Sequence, residues 1–379
     1  MTSSQSGSLG ISTETWSRSN AVYENNKRFI GLDIFKILCV ILITAIHFLD
    51  FSGLNSAFSN YSVNKILTLF VKALTTVGVN GFILITGFFL VKSKFRVEKL
   101  FFIWGETLFF SLLLFATGYI FKLEEVRASY CFFSVAPILS RHYWFATAYV
   151  ILYLCSPFLN KLIFVMTKKE YSILLLGGAI IFSVWTTIVY FSEGALIGGG
   201  TGILWMIYLY LVGAYFNTHK VNEQVLLKFA WIISVLCLIG LVAYQILSEK
   251  LVFLSRFDIF GNNSLLPLLF SVSVFIIFKN INVKEGKASK YITGTAKCSF
   301  GVYLIQTHCM ICHWLWLDVV RGQLLFETWY LYPVFLLTVV VLFVLSFICE
   351  KIFKWIFSVI EKVVISIKNS KKTIQGDEN

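Results

Sequence analysis

Apolar residues fill most of this chain in windows of about 20 residues, and short polar segments separate the windows. Because a helix rises 1.5 Å per residue, about 20 apolar residues cross the ~30 Å of bilayer hydrocarbon. Such a window has to be helical, since lipid offers no partner to an exposed backbone amide. The pattern predicts about ten transmembrane helices, over residues 30–50, 70–91, 101–121, 143–163, 171–192, 201–217, 229–247, 262–278, 298–316 and 330–350.

The composition supports the same class of protein. Of 379 residues, 58% are hydrophobic and 14% are charged, whereas a soluble domain has roughly a quarter charged residues. This excludes an ordinary soluble enzyme, a disordered chain and a disulfide scaffold. We predict an all-α integral membrane protein built as a bundle. Residues 1–29 form a polar N-terminal tail, 30–350 the membrane domain and 351–379 a basic C-terminal tail.

The net charge of +12 comes from 32 Lys and Arg against 20 Asp and Glu. The basic residues lie in the gaps between apolar windows, which fits charges at a bilayer surface and not a nucleic-acid partner. If the chain crosses the membrane ten times, most of the basic residues lie on the same side as the N-terminus. Dense groups of them occur at 92–99, 279–297 and 351–372. The positive-inside rule then places both termini in the cytoplasm.

Ionisable residues inside the windows are the first candidates for chemistry, because a charge at the bilayer centre costs at least ~2.5–3.5 kcal/mol. Lys36 and His47 are eleven positions apart, so they share one helix face about 16 Å apart along the axis. Asp33 could pair with Lys36, and Asp50 could orient the ring of His47. Glu106, at a depth similar to Lys36, could pair across helices. The alternative is a structural role for each: ion pairs for Lys36 and Glu106, and a neutral hydrogen bond for His47.

Two short runs resemble cofactor motifs only superficially. Cys309–His313 (CMICH) matches the attachment pattern of a c-type haem, but it lies in a predicted span with no cytochrome domain around it. Adding His308 gives four contiguous ligands that do not suit tetrahedral metal binding, so we expect no metal. Gly198–Gly202 (GGGTG) lacks the Lys-Ser/Thr ending of a phosphate loop. We interpret it as a flexible or re-entrant turn that opens the sixth window.

Four stretches, in order and in matching windows, resemble the motifs of the acyltransferase-3 family, the bacterial transmembrane O-acyltransferases. The family's basic residue, ten-residue spacer and histidine match Lys36 and His47. Gln306 stands where many members have histidine. The other three stretches are Gly81–Phe89 (GFILITGFF), Tyr143–Asn160 and Ser299–His308 (SFGVYLIQTH).

The resemblance implies an enzyme of the bacterial cytoplasmic membrane that transfers an acyl group, usually acetyl, from cytoplasmic acetyl-CoA to a sugar hydroxyl. No cofactor is expected to stay bound. The implied acceptor is a surface glycan, such as an exopolysaccharide, a capsule or a wall polymer, or its lipid-linked oligosaccharide precursor. The partners are thus acetyl-CoA, the glycan and the lipid bilayer.

Residue roles follow from this chemistry. His47 is the expected general base, because an unperturbed imidazole has a pKa of ~6.5, and Lys36 and Glu106 complete the catalytic candidates. Acetyl-CoA carries several phosphates, and a group of four basic residues is expected to attract them. These donor-binding candidates are Lys92, Lys94, Arg96 and Lys99. The candidates for acceptor binding or oxyanion stabilisation are Asn80, Trp144, Gln306 and His308.

A transporter or flippase for a lipid-linked glycan is the alternative, because ten spans with interior charges suit it equally well. Transporters often carry internal repeats with paired broken helices. We find no clear internal repeat in this chain, which favours the enzyme. A haem or redox protein would rest on the run at Cys309–His313 alone.

The charge pattern generates a topological prediction. A cytoplasm-active reporter fused after Asn379 is expected to be functional, because the positive charge keeps the C-terminus inside. A fusion that works only outside the cytoplasmic membrane would contradict this topology.

Overall fold

The computed structural model describes residues 28–54, 62–189 and 198–376. It is 79% helix, and no strand occurs in these ranges. Residues 1–27 of the predicted N-terminal tail lie outside them. The α-helices of eight or more residues are α1 (Ile30–Phe51), α2 (Val63–Thr75), α3 (Val77–Leu90), α4 (Val97–Ile120), α5 (Ala128–Val135), α6 (Trp144–Val165), α7 (Lys168–Ala179), α8 (Ile203–Thr218), α9 (Glu223–Ser248), α10 (Leu265–Lys279), α11 (Lys287–Lys297), α12 (Ser299–Thr307) and α13 (Leu331–Gly376).

Among the described residues, seven helical stretches are long and apolar enough to cross a membrane. Helices α2 and α3 together make one of them, and α7 reaches this length through a π-helical continuation. Helices α8 and α10 coincide with two further predicted windows but have only 16 and 15 residues. The all-helical membrane fold is therefore confirmed, while the count of ten spans and the side of the termini stay predictions. The seven stretches are Ile30–Phe51, Val63–Leu90, Val97–Ile120, Trp144–Val165, Lys168–Ile188, Glu223–Ser248 and Leu331–Lys362.

The ninth predicted window is not one continuous helix. Helix α12 ends before His308, and a π-helical segment, Trp314–Val320, follows after a turn. At this break the backbone N–H of Cys309 donates to Nε2 of His142 (3.2 Å), and that of Met310 donates to Nδ1 of His308 (3.2 Å). Because a backbone donor in apolar surroundings needs a partner, the two imidazoles stabilise the interruption.

The last helix runs past the predicted border at residue 350. Helix α13 has 46 residues, which corresponds to a length of about 69 Å against ~30 Å of hydrocarbon. Lys354 and Glu350, which lie one helical turn apart, form an ion pair across this border. The C-terminal segment thus begins as a direct continuation of the last span.

Helix α3 lies at the centre of the bundle, where it packs against α1, α8 and α10. Two glycines allow its backbone to approach that of α8 closely. A Cβ added at Gly87 would overlap the carbonyl oxygen of Tyr210, and a Cβ at Gly213 would overlap that of Leu84. Small residues at helix contacts are typical of membrane bundles, in which close van der Waals packing holds the helices together.

This contact generates a prediction about stability. Gly87→Ala is expected to lower the free energy of unfolding by roughly 1–3 kcal/mol, because the added methyl group forces α3 and α8 apart. The measurement is the midpoint of thermal unfolding in detergent. Gly177→Ala on α7 is the control, since a Cβ there meets nothing within 4 Å. Equal midpoints for both variants would contradict the importance of this contact.

Candidate active site

A cavity of about 390 Å³ lies at the His47 end of α1, within the usual size range of ligand pockets. Helices α1, α2, α3, α6 and α12 contribute to its wall. The cavity is mostly apolar, with a small number of polar groups. Its polar and aromatic side chains include His47, Asp50, Lys72, Trp144 and Tyr303.

One face of α1 forms the long side of this cavity. Val40, Ile43, His47 and Asp50 line it, at the spacing of three and four residues that keeps side chains on one face. Lys36 continues the row one turn away from the cavity. The structure therefore places both members of the predicted motif along the same face.

Lys36 does not line the cavity but contacts its wall. The Nζ atom of Lys36 lies 5.6 Å from the ring centroid of Phe82, and Phe82 is itself part of the lining. A cation at this distance is attracted by the ring quadrupole. Phe82 thus contacts both the ammonium group of Lys36 and the cavity that contains His47.

His47 is half-buried in the cavity wall, and its ring centroid lies 5.9 Å from that of Phe51. The Nδ1 atom of His47 is buried and has no hydrogen-bond partner among the described residues. Asp50 was expected to orient this ring, but the structure shows no hydrogen bond between them. Asp50 instead faces Lys72, which attracts its carboxylate across the cavity.

Gln306 is fully buried on α12 and does not line the cavity. Its Nε2 donates to Oγ1 of Thr44 on α1 at 3.0 Å, and that hydroxyl donates to the carbonyl oxygen of Val40 at 2.8 Å. The Oε1 atom of Gln306 is buried without a hydrogen-bond partner among the described residues. Gln306 thus joins α12 to α1 within one turn of His47.

Asn80 is buried and occupied by two hydrogen bonds. Its Oδ1 accepts from Nε1 of Trp205 at 3.0 Å, and its Nδ2 donates to the carbonyl oxygen of Asn262 at 2.7 Å. Asn262 lines the cavity, whereas Asn80 does not. Asn80 therefore holds a wall residue in place, and it does not face the cavity as an acceptor-binding group would.

His308 is also fully buried away from the cavity. Its Nδ1 accepts from the backbone of Met310, and its Nε2 lies 3.5 Å from Oγ of Ser134. Trp144, in contrast, is half-buried and lines the cavity. Of the four candidates for acceptor or oxyanion binding, Trp144 is the one that the structure brings into the cavity with His47.

The Lys36 end of α1 carries a charged group of residues from three helices. Glu106 on α4 and Glu350 on α13 are both buried, and both act electrostatically on Lys36. Asp33 forms an ion pair with Arg28 at 2.9 Å, and, as expected, it also attracts Lys36, more strongly than either glutamate does. We name Lys36, Glu106 and Glu350 the charged cluster. The sequence interpretation missed Glu350, although a lone acidic residue at the start of a basic flank is a detectable signal.

The basic segment from Lys92 to Lys99 is fixed to α6 by Tyr153. The hydroxyl of Tyr153 accepts from the backbone N–H of Arg96 at 3.0 Å and donates to its carbonyl oxygen at 3.1 Å. The Nζ atom of Lys99 lies 4.9 Å from the Tyr153 ring centroid, and Lys99 acts electrostatically on Lys36. The structure therefore brings the predicted donor-binding segment to the side of the charged cluster. Lys92, Lys94 and Arg96 are exposed there.

The glycine-rich run forms a turn just before α8, and this turn lies against the cavity. Gly199 and Gly200 have φ angles of 60° and 82°, a region that glycine enters without a Cβ penalty. A Cβ on Gly200 would overlap Asn262, and the next residue, Thr201, lines the cavity. Within the described ranges, no group of three or more His, Cys, Asp or Glu side chains is arranged to hold a metal ion.

Comparison with known proteins places this arrangement in a family. A family model described as an acyltransferase domain matches residues 29–358, which include the cavity and the charged cluster. No curated protein and no solved structure matches the chain. Because the match covers nearly the whole chain, and because the matched region contains several helices of membrane-spanning length, this protein belongs to the acyltransferase-3 family and is a membrane acyltransferase.

Proposed function

We propose that the protein transfers an acetyl group from cytoplasmic acetyl-CoA to a sugar hydroxyl of a surface polysaccharide or its lipid-linked precursor. The bacterial cytoplasmic membrane is the proposed location. One observation carries the proposal: His47 lines a cavity at one end of α1, while the basic segment approaches Lys36 near the other end. An acceptor and a charged donor can therefore approach from opposite ends of one helix.

The proposed reaction uses His47 as a general base. A sugar hydroxyl is a weak nucleophile, so its proton is removed as its oxygen attacks the thioester carbonyl carbon. A new carbon–oxygen bond forms, and the carbon–sulfur bond breaks. The proton taken up by His47 then passes to the leaving thiolate, which gives the free thiol of coenzyme A and restores neutral His47. No redox cofactor enters this balance.

The cavity suits a sugar as the acceptor. Its volume of about 390 Å³ is at the small end of ligand pockets. Trp144 offers an apolar aromatic face with a polar edge, and Asp50 and Lys72 add charged hydrogen-bonding groups beside His47. Hydroxyl groups of the sugar would bind these polar side chains, while its C–H face packs on the indole.

The donor is proposed to bind at the opposite end. Lys92, Lys94 and Arg96 are exposed, so they can attract the phosphates of acetyl-CoA. Lys99 leads from this segment toward Lys36. The distance of about 16 Å between Lys36 and His47 along the helix axis is of the scale of a pantetheine arm, which would pass between the helices toward the cavity.

The base assignment predicts that His47→Ala loses acetyl transfer by roughly 10²–10⁴-fold, the usual contribution of general base catalysis. The measurement is the mass of the surface polymer from cells with the variant, compared with wild type. His219→Ala is the matched control, because His219 stacks on Tyr215 and does not line the cavity. A wild-type level of acetylated polymer from His47→Ala would contradict the role of His47. A wild-type protein that moves the glycan without changing its mass would instead support a flippase.

The donor site predicts a defect confined to acetyl-CoA binding. Replacing Lys92, Lys94, Arg96 and Lys99 together by Gln is expected to raise KM for acetyl-CoA with little change in kcat, because contacts far from the reacting carbonyl contribute uniform binding. The KM difference should shrink as salt is added, since exposed charges are screened beyond ~8–10 Å.

The control for this variant removes the same number of charges elsewhere. It replaces four exposed lysines outside the segment by Gln: Lys161, Lys168, Lys169 and Lys220. Insertion of both variants is checked with the C-terminal reporter. If KM at low salt is the same in both, the segment does not bind the donor, and the lysines at 279–297 become the next candidates.

A further inference from the structure

Two buried polar atoms beside the cavity lack hydrogen-bond partners among the described residues. They are Nδ1 of His47 and Oε1 of Gln306. Buried polar side-chain atoms are nearly always hydrogen-bonded, so each exception in a native structure needs an explanation. These two are chemically complementary, because an imidazole Nδ1 donates in one of its neutral tautomers and an amide oxygen only accepts.

The orientation of the Gln306 amide follows from its bonded neighbour. The Thr44 hydroxyl donates its one proton to the carbonyl oxygen of Val40 at 2.8 Å. Its oxygen is therefore left to accept, and the group that approaches it at 3.0 Å has to be the amino group of Gln306. The opposite orientation would bring two acceptor oxygens together. Thr44 thus fixes the orientation of the Gln306 amide: Nε2 faces the Thr44 hydroxyl, and Oε1 points away from it.

Gln306 and His47 are neighbours across the contact between α12 and α1. Thr44, which holds the amide, is three residues before His47, so the two lie one turn apart on the same side of α1. The side chain of Gln306 acts on the imidazole of His47 from across this contact. Asp50 and Lys72 are the charged groups that face the same cavity, and neither is hydrogen-bonded to the Nδ1 atom of His47.

We infer that Gln306 is a positioning residue for His47: a small rotation of the two side chains lets its Oε1 accept the Nδ1 proton of the imidazole, so that each of the two unpartnered atoms gains a partner. This bond selects the tautomer in which Nε2 is unprotonated. With Nδ1 turned into the helix contact, Nε2 is the atom available to a hydroxyl in the cavity. The role in catalysis rests on the proposed function, whereas the tautomer is a property of the resting protein.

The tautomer is tested first, and without any substrate. Histidine-selective ¹⁵N NMR of the detergent-solubilised full chain, compared with the spectrum of His47→Ala, identifies the His47 signals among the five histidines. We expect a protonated Nδ1 and an unprotonated Nε2 in the wild type. Gln306→Met is expected to abolish this preference. A wild-type His47 with its proton on Nε2 would overturn the inference, whether or not acetyl transfer is observed.

Kinetics then separate positioning from direct stabilisation of the oxyanion. Gln306→Met is expected to lower kcat roughly 10–100-fold, the scale seen when the outer partner of a functional histidine is removed, with KM for acetyl-CoA unchanged. Gln306→Glu is expected to retain more activity than Gln306→Met, and the acidic limb of its kcat/KM profile should move to higher pH, because a carboxylate favours the imidazolium.

A residue that donates to the oxyanion would behave differently. In that case Gln306→Glu would be as inactive as Gln306→Met, since a carboxylate repels the developing negative charge, and the acidic limb would stay in place. That result would overturn positioning. Thr44→Val keeps Gln306 but removes the group that orients it. Its kcat is expected to lie between those of Gln306→Met and wild type.

Gln245→Met is the matched control. Gln245 is buried, its Nε2 donates to the carbonyl oxygen of Leu69 at 2.9 Å, and its Oε1 is also without a partner among the described residues, but it links α9 to α2 and is not bonded to the turn of α1 that carries His47. It should keep the kcat and the pH profile of wild type. If Gln306→Met behaves like Gln245→Met, the inference is wrong. If wild type shows the expected tautomer but transfers no acetyl group, the proposed function fails and the contact stands.

Discussion

A polar group among membrane helices has no water to bind, so it has to find its partner within the protein, either on its own helix or on another one. This constraint arranges the interior of the protein. Asn80 ties α3 to Trp205 and to the backbone of Asn262. Asn160 accepts from the hydroxyl of Tyr210 at 2.6 Å and donates to a backbone carbonyl of α3. These bonds fix the walls, and the cavity is the space between helices held in this way.

The sequence predicts the helices and the face of α1 well, because both depend only on helix geometry. Window length requires a span, and the spacing of Lys36 and His47 requires a common face, whatever surrounds them. The sequence could not predict the break at His308. It depends on an imidazole 167 positions from Cys309 in the chain, and no local pattern carries that contact. Glu350 is noticeable in the sequence as a lone acidic residue before a basic flank, but its place beside Lys36 and Glu106 is not, since these neighbours come from distant windows.

Residue type alone also does not distinguish an amide side chain that faces the cavity from one that holds a neighbouring element in place. Asn80 and Gln306 looked equivalent as hydrogen-bond donors in sequence, but the structure uses both as links between elements. Trp144 is half-buried in the cavity wall. Whether a side chain lines the cavity depends on how its helix is rotated against the neighbouring helices, and only the packing of the helices determines that rotation.

The ring of Phe82 has a consequence for the membrane as a whole. Its centroid lies 5.6 Å from the Lys36 ammonium, and its side chain is part of the cavity wall. A protein with polar groups toward both faces of a bilayer risks becoming a conduit, and a continuous file of water would dissipate ion gradients. An apolar side chain interrupts such a file where it lies in the path, because dewetting closes a pore without any moving gate. The position of Phe82 beside both Lys36 and the cavity suits it to this task.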